Sequence, residues 1–335
     1  MKIKKNYFYV GIIIVVIVLS IIAFYLMPPI KQTKKTEENQ KTNQNEIKEE
    51  DRNPFSVDKN GYLSYPLDRG DVRFKREDYG IEGNLSIHNV IYQSKYGNIY
   101  GLLVLPTTAE EVLPGIVLLP GAGVPKESKI ELAKKIALLD TAVLVIDQRR
   151  VGETDGILPN LDDDYTSFLA DKEPYQYLMV YDALRAYDLL KSAPFTDSDR
   201  IIIIGESLGG RIAVIAAALD RNIEGALAIS TSGLDFKPKG DANKDKFLLS
   251  IDSDHYIDLI TPRKLVMMHN ANDNMVPLSS AVKSYSKAQE PKQFVLVNDT
   301  TCNHGYCDSM WNGLAESLDY LIDTSSRTLI SVPVK

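Results

Sequence analysis

The stretch around Ser207 places a hydroxyl group in a short, glycine-rich turn. Residues 201–210 read IIIIGESLGG, so four isoleucines run directly into Gly205-Glu206-Ser207-Leu208-Gly209. In a G-x-S-x-G turn between a strand and a helix, strained backbone lifts the serine hydroxyl clear of the sheet, where it can attack a carbonyl carbon. The alternative for a serine at such a place is an ordinary helix cap. We predict that Ser207 is a catalytic nucleophile.

A serine nucleophile needs two partners, because its hydroxyl does not ionise near neutral pH. An adjacent base must take the proton, and an acid must orient the base. The chain has four histidines, and His304 is the only one after residue 269, so it is the predicted base. Asp273, in the loop after residues 264–269, is the predicted acid. Asp299 is its rival, but Asp299 shares a loop with His304.

Acyl transfer also requires hydrogen-bond donors for the oxyanion that develops on the carbonyl oxygen. Loss of one such donor costs about 3 kcal/mol of the barrier. The backbone amide of Leu208, directly after the nucleophile, is one candidate. The second is the amide of Ala122 in the turn Gly121-Ala122-Gly123, although a plain glycine turn would have the same sequence.

The elements that must position these residues alternate along the chain. Short apolar runs without polar alternation predict strands that are buried on both faces. These runs are residues 115–119, 142–147, 201–205, 225–230, 264–269 and 293–297. Apolar residues at helical spacing occur between or after these runs, at residues 127–139, 175–191, 208–219, 278–289 and 307–322. An antiparallel hairpin, residues 85–93 and 99–106, comes first. The pattern predicts an α/β fold with a mostly parallel, twisted sheet, helices on both faces and a ligand site beyond the carboxyl ends of the strands.

Six ordered motifs resemble those of the α/β-hydrolases, in particular the dienelactone-hydrolase and prolyl-oligopeptidase-like branch of small esterases. They read LLVLP, PGIVLLPGAG, VIDQRRVGETDG, GESLGG, MHNANDNMVP and NHGY, between residues 102 and 306. The resemblance implies Ser207 as nucleophile, Asp273 as acid and His304 as base, with the Ala122 and Leu208 amides as the oxyanion hole.

The chain departs from this family pattern at two positions. Pro120 stands where the family usually has a histidine that braces the oxyanion loop. Arg150 stands where the family has glycine, and the sequence alone does not tell what this arginine does.

The resemblance implies a serine hydrolase, and a carboxylesterase for small acyl esters is the favoured function. An exopeptidase is the alternative, although related peptidases generally carry a large propeller domain for which this chain has no room. A noncatalytic binding protein is the second alternative, and retention of all three triad residues speaks against it. No cofactor or metal is expected.

Two polar segments are expected to border the substrate pocket. Residues 231–263 occupy the usual place of a cap, but they are short and charged, which argues against a large lipase-type lid. Residues 158–174 form a second, acidic insertion. Acidic loops are most often simply solvated, so they predict nothing about substrate charge.

The first thirty residues are predicted to be a signal anchor. Residues 7–27 carry no charge over 21 positions, about the length of a membrane-spanning helix. Lys2, Lys4 and Lys5 precede this run and favour a cytoplasmic N-terminus, which places the rest of the chain outside the cytoplasm. A cleaved signal peptide would need a pair of small residues that this segment lacks. Residues 31–53 are nearly free of apolar side chains and predict a flexible tether, so the hydrolase domain is expected at residues 54–335.

Net charge and cysteine content indicate which partners and which covalent links to expect. The formal net charge is −7 with no basic block, which argues against nucleic acid as a partner. The expected partners are an ester or short peptide substrate, as the family resemblance implies, and the membrane, through residues 7–27. Cys302 and Cys307 are the only cysteines and bracket His304, so outside the cytoplasm they can form a disulfide, while two free thiols remain the alternative.

Overall fold

The computed structural model describes residues 54–108, 111–154 and 160–322. The predicted signal anchor and tether lie outside these residues. Among the helices in the described ranges, none combines the length and the apolar character needed to cross a membrane.

A large mixed sheet organises the described part of the chain. A small antiparallel pair, β1 and β2, precedes the nine-stranded sheet, whose order is β11-β10-β9-β8-β6-β7-β5-β4-β3. The strands are β1 Ser56–Val57, β2 Leu63–Ser64, β3 Phe74–Glu82, β4 Leu85–Ser94, β5 Gly97–Pro106, β6 Leu113–Leu119, β7 Ala142–Ile146, β8 Thr196–Glu206, β9 Gly225–Ile229, β10 Lys264–Asn270 and β11 Lys292–Val297. Strands β6 to β11 pair in parallel, whereas β3, β4 and β5 join antiparallel.

Seven α-helices occur in the described ranges, and four of them cover the sheet most closely. They are α1 Ile130–Ala137, α2 Leu161–Leu169, α3 Tyr175–Ser192, α4 Leu208–Leu219, α5 Ala242–Ser250, α6 Leu278–Lys287 and α7 Trp311–Ile322. Helices α3 and α4 pack in the hydrophobic layer on one face of the sheet, and α1 and α7 pack in the layer on the other face. The α/β-hydrolase fold predicted from the sequence is confirmed.

Strand β8 shows why these apolar runs become buried strands. Ile201 to Ile204 have no exposed surface, and their side chains alternate between the two layers: Ile201 and Ile203 on the α4 side, Ile202 and Ile204 on the α7 side. A strand that is covered on both faces must be apolar at every position, not at every second one. Ser207 directly follows this buried strand and therefore lies at the carboxyl edge of the sheet.

Strands β1, β2 and β3 and helices α2 and α5 were absent from the sequence prediction. Strand β3 is exposed at all nine positions, so it shows no apolar alternation. Helices α2 and α5 lie in the two polar insertions and begin at polar caps. The side chain of Asn160 accepts from the backbone amides of Asp162 and Asp163, and Asp241 accepts from the amide of Lys244. Capping of this kind starts a helix where the apolar pattern is weak.

Candidate active site

Ser207 occupies a strained turn between β8 and α4. Its φ of 53° and ψ of −118° lie outside the regions that non-glycine residues favour. The backbone is nevertheless held, because the Ser207 amide donates to the carbonyl of Ile229 at 2.9 Å and Thr231 Oγ1 donates to the Ser207 carbonyl at 2.7 Å. A non-glycine residue kept in such a conformation by its surroundings is typical of a functional site.

The flanking glycines allow the turn to pack tightly against its neighbours. A β-carbon on Gly205 would collide with the carbonyl of Gly209, and one on Gly209 would collide with the carbonyls of Leu119 and Pro120 at the end of β6. Only glycine fits such a close approach of backbone to backbone. The Gly-x-Ser-x-Gly pattern is therefore required by the geometry of the turn.

Asp273 and His304 form a hydrogen-bonded pair at the ends of β10 and β11. His304 Nδ1 lies 2.9 Å from both carboxylate oxygens of Asp273, whose side chain is fully buried. Burial raises the pKa of Asp273, but hydrogen bonds from the Val276 amide, from His304 and from the Met275 amide outweigh it, and the pKa lies below its usual 3.8. Asp273 is therefore ionised at neutral pH, and it orients the ring of His304 through Nδ1. The rival, Asp299, instead accepts bonds from the amide and hydroxyl of Thr301.

The His304 loop is fastened to the segment that carries Ser207. The Tyr306 amide donates to Glu206 Oε2 at 3.0 Å, and Ser230 Oγ donates to the carbonyl of Gly305 at 3.3 Å. The structure thus brings the three predicted triad residues to one edge of the sheet. Within the described ranges, however, there is no hydrogen bond between Ser207 and His304. Catalytic hydrogen bonds are often long before substrate binds.

The predicted oxyanion loop lies against Ser207, the predicted nucleophile. A β-carbon built on Gly121 would be 3.5 Å from Cβ of Ser207. The side-chain amide Nε2 of Gln148 donates to the carbonyl of Pro120, and so braces the loop where the family's usual histidine is missing. Ala122 is exposed in this loop, and Leu208 is buried at the start of α4. Their assignment as amide donors stays a prediction.

A charge cluster around the buried Lys126 and Asp147 supports the predicted oxyanion loop. Lys126 Nζ lies 2.9 Å from Asp147 and 2.7 Å from Glu153, and Asp147 also accepts the backbone amides of both residues. The loops after β6 and β7 are thereby locked together. The sequence pattern gave no sign of this cluster, because lysine and carboxylates in loops are usually solvated.

Cys302 and Cys307 are joined by a disulfide that closes the loop around His304. Cys302 is buried in the layer that contains α7, and Cys307 is half-buried against it. The loop is also held by the hydrogen bonds between Asp273 and His304 and by the bond from the Tyr306 amide to Glu206. Together with the disulfide, these contacts leave the loop little freedom to move.

His269, at the end of β10, has a packing role. Its ring is buried, and Nε2 donates to the carbonyl of Val276 at 2.9 Å, which supports the turn that presents Asp273. Burial lowers the pKa of His269, so its ring is neutral at physiological pH. No group of three or more metal-binding side chains is found within the described ranges.

Comparison with known proteins gives one family and many structural neighbours. The family model of acetyl xylan esterase (AXE1) matches residues 64–239, just over half of the chain. An uncharacterised protein, YfhR from Escherichia coli O157:H7, is 28% identical over 144 residues, which cover 41% of this chain and 50% of that protein. The chain therefore matches about half the length of this curated relative.

Two solved structures with low sequence identity share the fold. The acetyl xylan esterase from Paenibacillus sp. R4 superposes with a TM-score of 0.62 at 19% identity, over 76% of this chain and 90% of that one. Acetyl xylan esterase 1 from Thermoanaerobacterium sp. JW/SL YS485 gives a TM-score of 0.60 at 16% identity, with the same coverage. The predicted relationship to α/β-hydrolase esterases is confirmed, and the chain belongs to the acetyl xylan esterase (AXE1) family.

Proposed function

We propose that this protein is a serine esterase that removes small acyl groups, acetyl first among them, from hydroxyl groups. The observation that carries the proposal is the Asp273–His304 pair, which is fastened through Glu206 to the strained turn of Ser207. Membership of the acetyl xylan esterase family supports ester hydrolysis. Acetyl esters of polysaccharides such as xylan are therefore the first substrates to test.

In the proposed acylation step, Ser207 Oγ attacks the ester carbonyl carbon while His304 Nε2 takes the hydroxyl proton. The carbonyl electron pair moves to the oxygen, and the amides of Leu208 and Ala122 donate to the resulting oxyanion. The tetrahedral intermediate then collapses: the bond to the alcohol oxygen breaks, and His304 returns the proton to that oxygen. The alcohol leaves, and Ser207 carries the acyl group.

Deacylation repeats this sequence with water as the nucleophile. His304 Nε2 takes a proton from water, the hydroxide adds to the acyl carbon, and Ser207 Oγ leaves with the proton that His304 returns. Asp273 keeps the Nδ1 proton of His304 in place throughout and stabilises the imidazolium that forms twice per cycle. The low pKa of Asp273 suits this role, because the carboxylate must stay ionised.

The test is active-site labelling with a fluorophosphonate probe, combined with assays on p-nitrophenyl acetate and on an aminoacyl anilide. The purified full chain is compared with Ser207→Ala and His304→Ala. We expect labelling and ester turnover by the wild type, and a loss of turnover by about 10³-fold or more in each variant. His88→Ala is the control, because His88 lies on β4 and pairs with Asp78, away from the site.

Each result decides between the candidate functions. Ester turnover that depends on Ser207 and His304, without anilide turnover, is the expected result. Anilide turnover by the wild type would favour the exopeptidase. A folded wild type that neither reacts with the probe nor hydrolyses an ester would overturn the proposal and favour a binding protein.

We also propose that the hydrolase domain lies outside the cytoplasm, anchored by the apolar residues 7–27. The lysines before that run support the orientation. The Cys302–Cys307 disulfide agrees with an oxidising compartment. Protease treatment of intact cells should remove the domain, and mass spectrometry of the native N-terminus should find residues 1–27; a mature chain that starts after Met27 would contradict the anchor.

A further inference from the structure

A cleft lies next to the proposed active site. It has a volume of about 880 Å³, and none of Ser207, Asp273 and His304 lines it. Its walls come from the turn after β4, the loop after β7 and the segment between α2 and α3. Strand β7 is separated from β8 by β6 alone. Because neighbouring strands are about 4.8 Å apart, the loop after β7 starts roughly 10 Å from the end of β8.

Strained backbone is concentrated around this cleft. Seven non-glycine residues of the described ranges have a positive φ, and three of them line the cleft: Tyr96 at 59°, Arg150 at 69° and Asp171 at 52°. A non-glycine residue in the left-handed region costs roughly 1–2 kcal/mol. Such strain persists where the surroundings hold it, and it collects at ligand sites. Arg150 also replaces the glycine that the family has at this position, which would adopt this φ without strain.

The guanidinium of Arg150 has no acidic partner in the described part of the chain. It lies 4.7 Å from the ring centroid of Tyr175 and donates to the Tyr175 hydroxyl. A guanidinium has five N–H donors, so this contact leaves most of them free for a ligand. The stacking holds the planar group in one orientation within the cleft.

The other charged groups of the cleft are neutralised or lie at its rim. Arg149 pairs with Asp182 at 2.6 Å, and Lys95 pairs with Glu173 at 2.9 Å. Glu153 is largely exposed and shares Lys126 with Asp147 and Glu127. Asp171 and Lys172 are exposed at the rim, where their opposite charges offset each other. Arg150 is therefore the cation of the cleft that has no acidic partner among the described residues.

We propose that Arg150 binds a carboxylate on the substrate, in a subsite next to the proposed active site. A planar guanidinium that is already oriented matches the two oxygens of a carboxylate, and such charge-assisted pairs are the strongest hydrogen bonds that proteins use. The rings of Tyr175 and Tyr100 offer apolar surface for the chain between the carboxylate and the ester. This inference rests on the proposed esterase function. The carboxylate belongs to either the alcohol or the acyl part of the ester, and the experiment distinguishes the two.

The test compares esters that differ only in a terminal charge about 10 Å from the reacting carbon, the span expected from the strand spacing. 8-Acetoxyoctanoate carries a carboxylate on the alcohol part, and monoethyl octanedioate carries it on the acyl part. Each is measured against its terminal carboxamide, with full-length wild type, Arg150→Asn and Arg221→Asn. Asparagine tolerates a left-handed φ, so the first variant should keep the fold, as thermal unfolding will show. Arg221 is exposed in the loop after α4, at the opposite edge of the sheet, and controls for the loss of one positive charge.

We expect the carboxylate-to-carboxamide ratio of kcat/KM to fall at least about tenfold in Arg150→Asn for one of the two ester pairs, as for one lost charge-assisted contact. The ratio should not change in Arg221→Asn. An equal fall in both variants, or no fall in Arg150→Asn, would overturn the subsite.

Calorimetric titration with 8-hydroxyoctanoate and with octanedioate separates the subsite from the esterase proposal. This measurement needs no turnover, so it decides the question even if the wild type hydrolyses no ester. Binding to wild type that is weakened in Arg150→Asn, and kept in Arg221→Asn, supports the subsite. Undetectable binding of both acids to wild type, or equal binding to wild type and Arg150→Asn, overturns it.

Discussion

The carboxylate of Glu206 accepts a hydrogen bond from Lys129 Nζ at 2.7 Å, and this ion pair joins two segments of the site. Lys129 ends the 3₁₀ turn that follows the oxyanion loop, and Glu206 is the residue before the nucleophile. The same carboxylate oxygen accepts the amide of Tyr306, two residues after the base. Glu206 is buried and therefore ties together the predicted oxyanion loop, the turn of Ser207 and the loop of His304.

Loss of the Glu206 charge is expected to lower kcat while KM changes little. Glu206→Gln keeps the shape and the bond to Tyr306 but loses the ion pair, so we expect a fall in kcat of about tenfold, equivalent to 1.4 kcal/mol. Glu206→Leu removes both bonds and should also lower the free energy of unfolding by about 1–3 kcal/mol. Steady-state kinetics and urea unfolding measure the two effects. A rise in KM alone would place Glu206 in substrate binding instead.

Asp273→Asn is expected to lower kcat by about 10⁴-fold, because an amide cannot hold the imidazole in its working tautomer. It also changes the pH dependence of stability. The folded-state pKa of Asp273 lies below its usual 3.8, so its contribution to stability is complete above that pH and is lost as the pH falls through the lowered pKa. The stability difference between wild type and variant should be constant from pH 7 to about pH 5 and shrink in stronger acid. Urea unfolding at several pH values checks this; a difference that grows in acid would contradict it.

Removal of the disulfide is expected to loosen the loop that carries His304. The bridge spans a sequence separation of five residues, and closure of so short a loop contributes about 2 kcal/mol in the chain-entropy model. The Cys302→Ser, Cys307→Ser double variant should therefore melt at a lower temperature and turn over more slowly. Its reaction with a fluorophosphonate should also slow, because His304 is less often in place. If reduction of the wild type changes neither rate nor melting temperature, the bridge has no part in positioning the base.

The turn of the nucleophile should tolerate no side chain at Gly209. Gly209→Ala places a β-carbon against the carbonyls at the end of β6, so we expect a loss of about 1–3 kcal/mol of stability together with loss of labelling at Ser207. Gly240→Ala is a control for glycine replacement, because a β-carbon there meets no atom within 4 Å, although its φ of 94° adds local strain. Labelling at the wild-type rate in Gly209→Ala would show that the turn relaxes.

The sequence predicted the sheet and its helices where burial alone determines residue type. Strands β6, β7, β9 and β10 and the second half of β8 are apolar because both faces are covered, whereas the edge strand β11 is only partly buried. The positions of these six strands were predicted to within a few residues at most ends; β8 begins earlier, at Thr196, in a polar stretch with no apolar signal. Strand β3 was missed because its exposed side chains follow no apolar period. Helices α2 and α5 were missed because caps, rather than apolar faces, mark their starts.

The candidate site was predictable only in its chemical groups. Serine, histidine and aspartate can be found from motifs, since the reaction demands those side chains in that order. The contacts that position them cannot be found in this way, because the partners are far apart along the chain: Glu206 is 77 residues from Lys129 and 100 residues from Tyr306. The role proposed for Arg150 was likewise not predictable, because it depends on which of the described acidic groups contact its side chain.

The position of His304 along the chain has a consequence for biosynthesis. The base lies after β11, so it follows every strand of the sheet in the order of synthesis. A nascent chain that has already exposed Ser207 still lacks both the histidine and the cysteines that hold its loop. In the proposed mechanism, Ser207 therefore has no base while the chain is incomplete, and the esterase can reach full activity only after the whole sheet and its last loop have been made and the disulfide has formed.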